Sequence, residues 1–148
     1  MKKLYVLCLL CLVSTVATAQ GFDFKIDHFA IVVDDVDKSA KFYDNILGLE
    51  ETPHPDKKPG FRWFMIDDSS QIHLIQKEFT PFEKNKSMHL CLSTQDLDAV
   101  ITHLKSNNVP YWDWPGKESA VTLRTDGVRQ IYIQDPDAYW IEINTATH

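Results

Sequence analysis

The stretch His28-Phe29-Ala30-Ile31-Val32-Val33-Asp34-Asp35-Val36-Asp37 returns in outline 61 residues later as His89-Leu90-Cys91-Leu92-Ser93-Thr94-Gln95-Asp96-Leu97-Asp98. Each copy opens on a histidine, runs through strand-like apolar residues and ends on acidic residues able to cap a helix. A second correspondence follows, Ile72-His73-Leu74 with Ile141-Glu142-Ile143, at an offset of 69. Internal repetition bears directly on architecture.

Working outward, 26–33 reads as a strand, and 38–47 as a helix with Ala40, Tyr43 and Leu47 on one side and Asp37 as its cap. Gly48 closes that helix in a left-handed conformation. Strands are expected at 49–52, 61–66 and 71–76, separated by Pro53, Pro55, Pro59, Gly60 and the turn at 67–70. The pattern restarts with a strand at 88–93, a helix at 97–106 capped by Asp96, and strands near 110–114, 130–134 and 139–144. Residues 115–128 read as a loop over a site. The fold class is therefore α+β, built from two strand-helix-strand-strand-strand modules, 24–78 and 86–145, within a single domain at 24–145.

The first nineteen residues read separately. Lys2 and Lys3 precede an apolar run from Leu4 to Val13, and Ala17-Thr18-Ala19 offers small residues for cleavage. This is the pattern of a secretory signal peptide, with an apolar run well short of the ~20 residues of a bilayer span. A mature chain starting near Gln20, secreted or periplasmic and without stable membrane insertion, is expected. Its removal takes the net charge from −6 to −8. An acidic balance argues against a nucleic-acid partner. Cys8 and Cys11 leave with the signal, so Cys91 remains alone and no internal disulfide forms.

Four polar residues stand among apolar neighbours at repeat-equivalent strand positions: His28 with His89, and His73 with Glu142. A lone strand histidine is most often structural. A carboxylate on an inward strand face is costly unless paired or metal-bound. Together the four are expected to converge on one divalent ion, since imidazole and carboxylate suit Zn, Fe, Mn, Co, Ni and Cu. The nitrogen-rich set favours Zn, Ni or Co, with Fe or Mn behind. His54, His103 and His148 read as surface residues. Trp63, Trp112, Trp114, Tyr132 and Trp140 are candidates for a stacking wall, and Arg62, Arg124 and Arg129 for contact with an anionic group. Trp63, Trp140 and Arg129 are the substrate-binding choices.

Ile26-Asp27-His28, Asp34-Asp35, Phe42-Tyr43 with Leu47-Gly48-Leu49, Met88-His89, and Asp135-Pro136-Asp137 followed by Trp140-Ile141-Glu142 resemble the vicinal oxygen chelate superfamily. That group includes glyoxalase-type lyases, methylmalonyl-CoA epimerases, extradiol dioxygenases and bleomycin-resistance proteins. The resemblance covers about residues 24–145. It implies two βαβββ modules in an eight-stranded half-open barrel around a metal, with His28, His89 and Glu142 as ligands and His73 at the fourth ligand position. It also implies a homodimer. Glyoxalase-type lyases usually carry Glu at the position of His73, and the epimerases Gln. Trp63 stands where those epimerases carry a second glutamate base, which argues against two-base epimerisation. The favoured reading is an exported metal-dependent lyase or isomerase acting on a small carbonyl or sugar-like substrate, with Glu142 or His73 moving the proton. The alternatives are an iron-dependent oxygenase and a non-catalytic small-molecule binder of the bleomycin-resistance kind.

Overall fold

A computed structural model of the chain describes residues 25–78 and 83–147. The signal segment read at 1–19 lies outside the described residues. In the first module β1 (His28–Val33) leads through α1 (Val36–Asn45) to β2 (Glu51–Thr52), β3 (Phe61–Met65) and β4 (Gln71–Gln76). The second repeats the order as β5 (His89–Ser93), α2 (Leu97–Ser106), β6 (Thr122–Leu123), β7 (Arg129–Gln134) and β8 (Trp140–Asn144). Each module is one four-stranded sheet, ordered β1-β4-β3-β2 and β5-β8-β7-β6. β1 runs parallel to β4 and β5 parallel to β8, because a helix carries the chain between them; the remaining pairs are antiparallel. This is the expected α+β duplication. The sheets remain two separate ladders and do not close into a barrel.

The helix starts follow from one acidic residue in each copy. The Asp35 carboxylate accepts from the backbone N–H of Asp37 and Lys38, and Asp96 from that of Ala99. Asp35, not Asp37, is therefore the first cap, and α1 begins two residues before the expected start. Gly48 does adopt the left-handed conformation, with φ +67.

The strand expected at 110–114 is replaced by two isolated bridges at Trp112, to Glu118 and to Tyr132. Trp112 exchanges both backbone hydrogen bonds with Tyr132, at 2.9 and 2.8 Å. Pro110 and Pro115 flank it and have no N–H to extend the ladder. The edge strand is instead β6, inside the stretch read as loop.

Alternation along the strands sends one face of each sheet into a shared core. Ile31, Val33, Phe64, Ile72 and Leu74 of the first sheet join Ile131, Ile133, Ile141 and Ile143 of the second, with Val36, Ala40 and Tyr43 of α1 and Leu97, Ile101 and Leu104 of α2. The turn before β8 ties the modules together. Asp137 accepts from the Asp34 N–H and the Ser39 hydroxyl, at 2.9 and 2.7 Å. The Tyr43 hydroxyl donates to Asp135 at 3.0 Å, and the Tyr139 hydroxyl to the Val32 carbonyl at 3.1 Å. Ala138 follows at φ 64, a strained position for a side chain, in a turn closed by its N–H on the Asp135 carbonyl.

Asp135 is 5% exposed. Burial pushes its carboxyl up to about 6, against the pull of the Tyr139 N–H and the Tyr43 hydroxyl. A raised folded-state value means the native protein holds this proton more tightly than the unfolded chain. Its contribution is complete below about 3.8 and is lost as pH rises through about 6. The loss is on the order of 3 kcal/mol. Asp135→Asn keeps an acceptor for the Asp137 and Tyr139 N–H groups. Its melting temperature should lack this component of decline between pH 4 and 7; a slope equal to that of the wild type would reject the assignment.

Candidate metal centre

The strand faces turned away from the core carry the polar residues singled out from the repeat. On the first sheet β1, β4 and β3 bring His28, His73 and Trp63 side by side, His73 directly opposite Trp63 in the register. The rings form a stack. His28 lies on His73 at 4.2 Å with an 11° interplanar angle, and His73 lies on Trp63 at 4.1 Å and 8°. His54 leans on Trp63 at 4.5 Å and on Phe61 at 5.4 Å, so it belongs to this cluster and is not the surface residue expected.

On the second sheet the equivalent positions hold His89, Glu142 and Tyr132, with Tyr132 opposite Glu142. Here the contacts are hydrogen bonds. Tyr132 donates its hydroxyl to Glu142 Oε2 at 2.5 Å, and Asn144 Nδ2 donates to Oε1 at 2.7 Å. Gln130 Nε2 donates to the Tyr132 hydroxyl at 2.8 Å. His89 Nε2 stands 3.1 Å from Glu142 Oε2. Tyr132 lies 69 residues beyond Trp63, the offset relating Glu142 to His73. That offset marks its position; its hydrogen bond depends on a hydroxyl where the first copy has an indole, and the sequence offered Tyr132 only as a stacking wall.

Electrostatics separate the two pairs. Burial of Glu142, 6% exposed, pushes its carboxyl up, but the hydrogen bonds from Tyr132 and Asn144 outweigh this and leave it below its ordinary value. It is ionised at neutral pH. Burial pushes the Tyr132 hydroxyl well up, so it remains a donor. Burial and the neighbouring His28 lower His73, which is neutral at neutral pH. Partial desolvation and the neighbouring Glu142 raise the Cys91 thiol to about 11, keeping it protonated at neutral pH.

The donor chemistry of His28, His89 and Glu142 fits a divalent ion. His89 Nδ1 is 2.7 Å from the Lys86 carbonyl and His28 Nδ1 is 2.5 Å from Asp27 Oδ2. An acceptor behind Nδ1 holds the proton there and leaves Nε2 as a lone pair, the arrangement found behind metal-bound imidazoles. His89 Nε2 faces an ionised carboxylate oxygen at 3.1 Å, a separation that a shared proton or a metal ion bound by both satisfies. His73 is held differently. Nε2 is 2.8 Å from Gln71 Oε1, and its ring plane is nearly parallel to that of His28. Lone pairs lie in the ring plane, so His28 and His73 cannot share one ion until one ring turns out of the stack.

The four residues do not converge within one chain. They form two pairs on the outer faces of two sheets, and among the described residues no three of His, Cys, Asp or Glu gather as a metal site. A cavity of about 710 Å³ opens beside His89 and Glu142, and its lining includes Cys91, Arg124, Asp126 and Asn144. Trp140 shares the face of Glu142 but donates its indole N–H to the Lys84 carbonyl and packs on Trp112. Arg129 lies on the opposite face of β7, where Asp98 takes its guanidinium in two bonds of 2.9 and 2.7 Å. Arg62 is held by Glu51 and Asp37. Of the three arginines considered, Arg124 is the one that reaches the cavity.

Residues 25–143 match the model of the Glyoxalase/Bleomycin resistance protein/Dioxygenase superfamily. Protein YwbC of Bacillus subtilis is 30% identical over 124 residues, 80% of this chain and 94% of that protein. The human mitochondrial methylmalonyl-CoA epimerase is 27% identical over 97 residues, 57% of this chain and 54% of that protein. Among solved structures, Oxidase ChaP-H2 superposes with a TM-score of 0.71 at 21% identity, over 86% of this chain and 97% of that one.

The Tyr132 hydroxyl is the leading cause holding Glu142 low. Tyr132→Phe should move the Glu142 titration back toward the ordinary glutamate value, read from its side-chain carboxyl carbon by NMR. An unchanged midpoint would remove Tyr132 from this role.

Proposed function

This chain belongs to the Glyoxalase/Bleomycin resistance protein/Dioxygenase superfamily, and we propose that within it the protein is an exported metal-dependent lyase or isomerase acting on a small oxygenated substrate. The observation that carries this reading is His89 Nε2 standing 3.1 Å from an ionised, hydrogen-bonded Glu142 beside an open cavity. His28, His89 and Glu142 would hold the ion, with zinc, nickel or cobalt favoured by the nitrogen-rich set. Bound there, it would supply Lewis-acid polarisation of a carbonyl and stabilisation of the enolate.

The chain's own residues supply the rest. His73 donates Nε2–H to Gln71 Oε1, an orientation supported by the Gln71 amide nitrogen lying 3.2 Å from Met65 Sδ. Nδ1 then keeps the lone pair that takes a proton from the substrate carbon. Trp63 covers one ring face and burial keeps the imidazole neutral, the state a base requires. Tyr132 and Asn144 fix both Glu142 oxygens, so the carboxylate is oriented before anything binds.

Because the two pairs occupy different faces of one chain, the proposed site forms between two copies. His28 and His73 of one copy would meet the partner's His89 and the partner's Glu142 in a homodimer. Neither His28→Ala nor Glu142→Gln alone should hold the metal. Mixed after unfolding and refolded together, they should regain about a quarter of the wild-type sites, because half the dimers are mixed and each has one site without a lesion. No recovery of metal or activity would place the site within a single chain or reject it.

The same reading makes a prediction for His73. If it serves as base, His73→Ala should leave zinc stoichiometry intact and reduce kcat by about 10²-fold or more. Loss of zinc affinity by about tenfold or more would make His73 a ligand, with the ring turned out of its stack.

A further inference from the structure

We propose that Arg124 is a specificity-determining residue that binds a carboxylate on the substrate, so that the substrates of this site are small oxygenated carboxylic acids. This deepens the function proposed above and rests on it. Arg124 sits at the root of the hairpin joining β6 to β7, closed by its own N–H on the Val128 carbonyl at 2.8 Å and by the Gly127 N–H on its carbonyl at 3.0 Å. That hairpin forms one wall of the cavity whose floor is His89, Glu142 and Asn144. The guanidinium is close enough to act electrostatically on Cys91 and Tyr132, which flank Glu142.

The structure already shows what this guanidinium accepts. Its Nη2 holds the Asp126 carboxylate at 2.5 Å, with both side chains roughly half exposed. An ion pair so open to water contributes little, so an incoming carboxylate displaces it at small cost. Among the described residues no acceptor engages Nε or Nη1; each forms a two-bond edge with Nη2, as in Arg62 and Arg129, so a carboxylate binds in two bonds once Asp126 yields Nη2. Arg62 and Arg129 lack this freedom, since each is committed to its partners away from the cavity. In the absence of a metal ion, charge selects carboxylate over phosphate: Glu142 and Asp126 already place two negative charges around the Arg124 guanidinium, and a phosphate dianion would add two more.

The test uses glycolate, the smallest hydroxy-carboxylate, against neutral glycolamide and inorganic phosphate, titrated by NMR into the full mature protein with and without zinc. Arg124→Gln should weaken glycolate binding by about tenfold or more and leave glycolamide unchanged. Asp126→Asn removes the internal competitor while keeping an acceptor for the Val128 N–H, and should tighten glycolate several-fold. Equal glycolate affinity in wild type and Arg124→Gln, or equal losses for glycolate and glycolamide, would overturn the proposal. Without zinc, tighter binding of phosphate than of glycolate would overturn the carboxylate class. Zinc affinity, measured separately, distinguishes the two readings. A wild-type protein that binds no zinc but shows the Arg124-dependent preference retains this subsite without the metal function; one that binds zinc without the preference does the reverse.

Discussion

Successive side chains of a strand point to opposite faces, and this one constraint determines where chemistry can occur in the chain. Ile72 and Leu74 must enter the core, so His73 between them cannot; the same holds for Ile141, Ile143 and the intervening Glu142. Both modules turn their apolar faces inward to one core. Their polar residues are thereby placed on two outer faces, and a single chain presents two separate polar pairs. The Asp-Pro-Asp turn before β8 reinforces the arrangement by tying Asp135 and Asp137 to α1 and its approach. A module that shifted or swung would have to break the buried Tyr43–Asp135 bond.

Most of this framework was legible before any coordinates. The offsets of 61 and 69 define the modules, and every strand and helix of the first copy falls near its expected place. What was misread depended on non-local facts. The first cap is Asp35 because its carboxylate, and not that of Asp37, reaches the free N–H groups of the first turn. The segment around Trp112 has strand-like residues, but prolines at 110 and 115 deny it a ladder, and the edge falls to Thr122 and Leu123. The repeat equivalence of the four polar positions was legible while their arrangement was not. A pattern of polar positions shows which residues are equivalent; it does not show whether equivalent faces meet within one chain.

The two polar pairs also show what duplication leaves free to diverge. Backbone register is conserved between the copies, so Trp63 opposes His73 as Tyr132 opposes Glu142. The side-chain chemistry differs completely. In the first copy flat rings stack and share few hydrogen bonds, which desolvates His73 and keeps it neutral. In the second, Tyr132 and Asn144 donate to a carboxylate and keep it charged despite burial. Desolvation acts on both, with its sign set by which form carries the charge. One fold thus maintains a neutral imidazole and an anionic carboxylate at corresponding positions.

That difference explains why the histidine at position 73 is more than an exchange of one donor for another. A carboxylate at this position would lie against the ring faces of Trp63 and His28, where Glu142 has the hydroxyl of Tyr132 and the amide of Asn144. Half-buried and with fewer donors than Glu142, it would hold a proton more readily. An imidazole suits the position because its neutral form tolerates the stack and still keeps one nitrogen free once Gln71 has engaged the other. Trp63 and His73 therefore act as a matched pair. An acid at position 73 would meet ring faces where Glu142 meets donors, so the surroundings of the first pair suit a neutral imidazole and those of the second an anionic carboxylate.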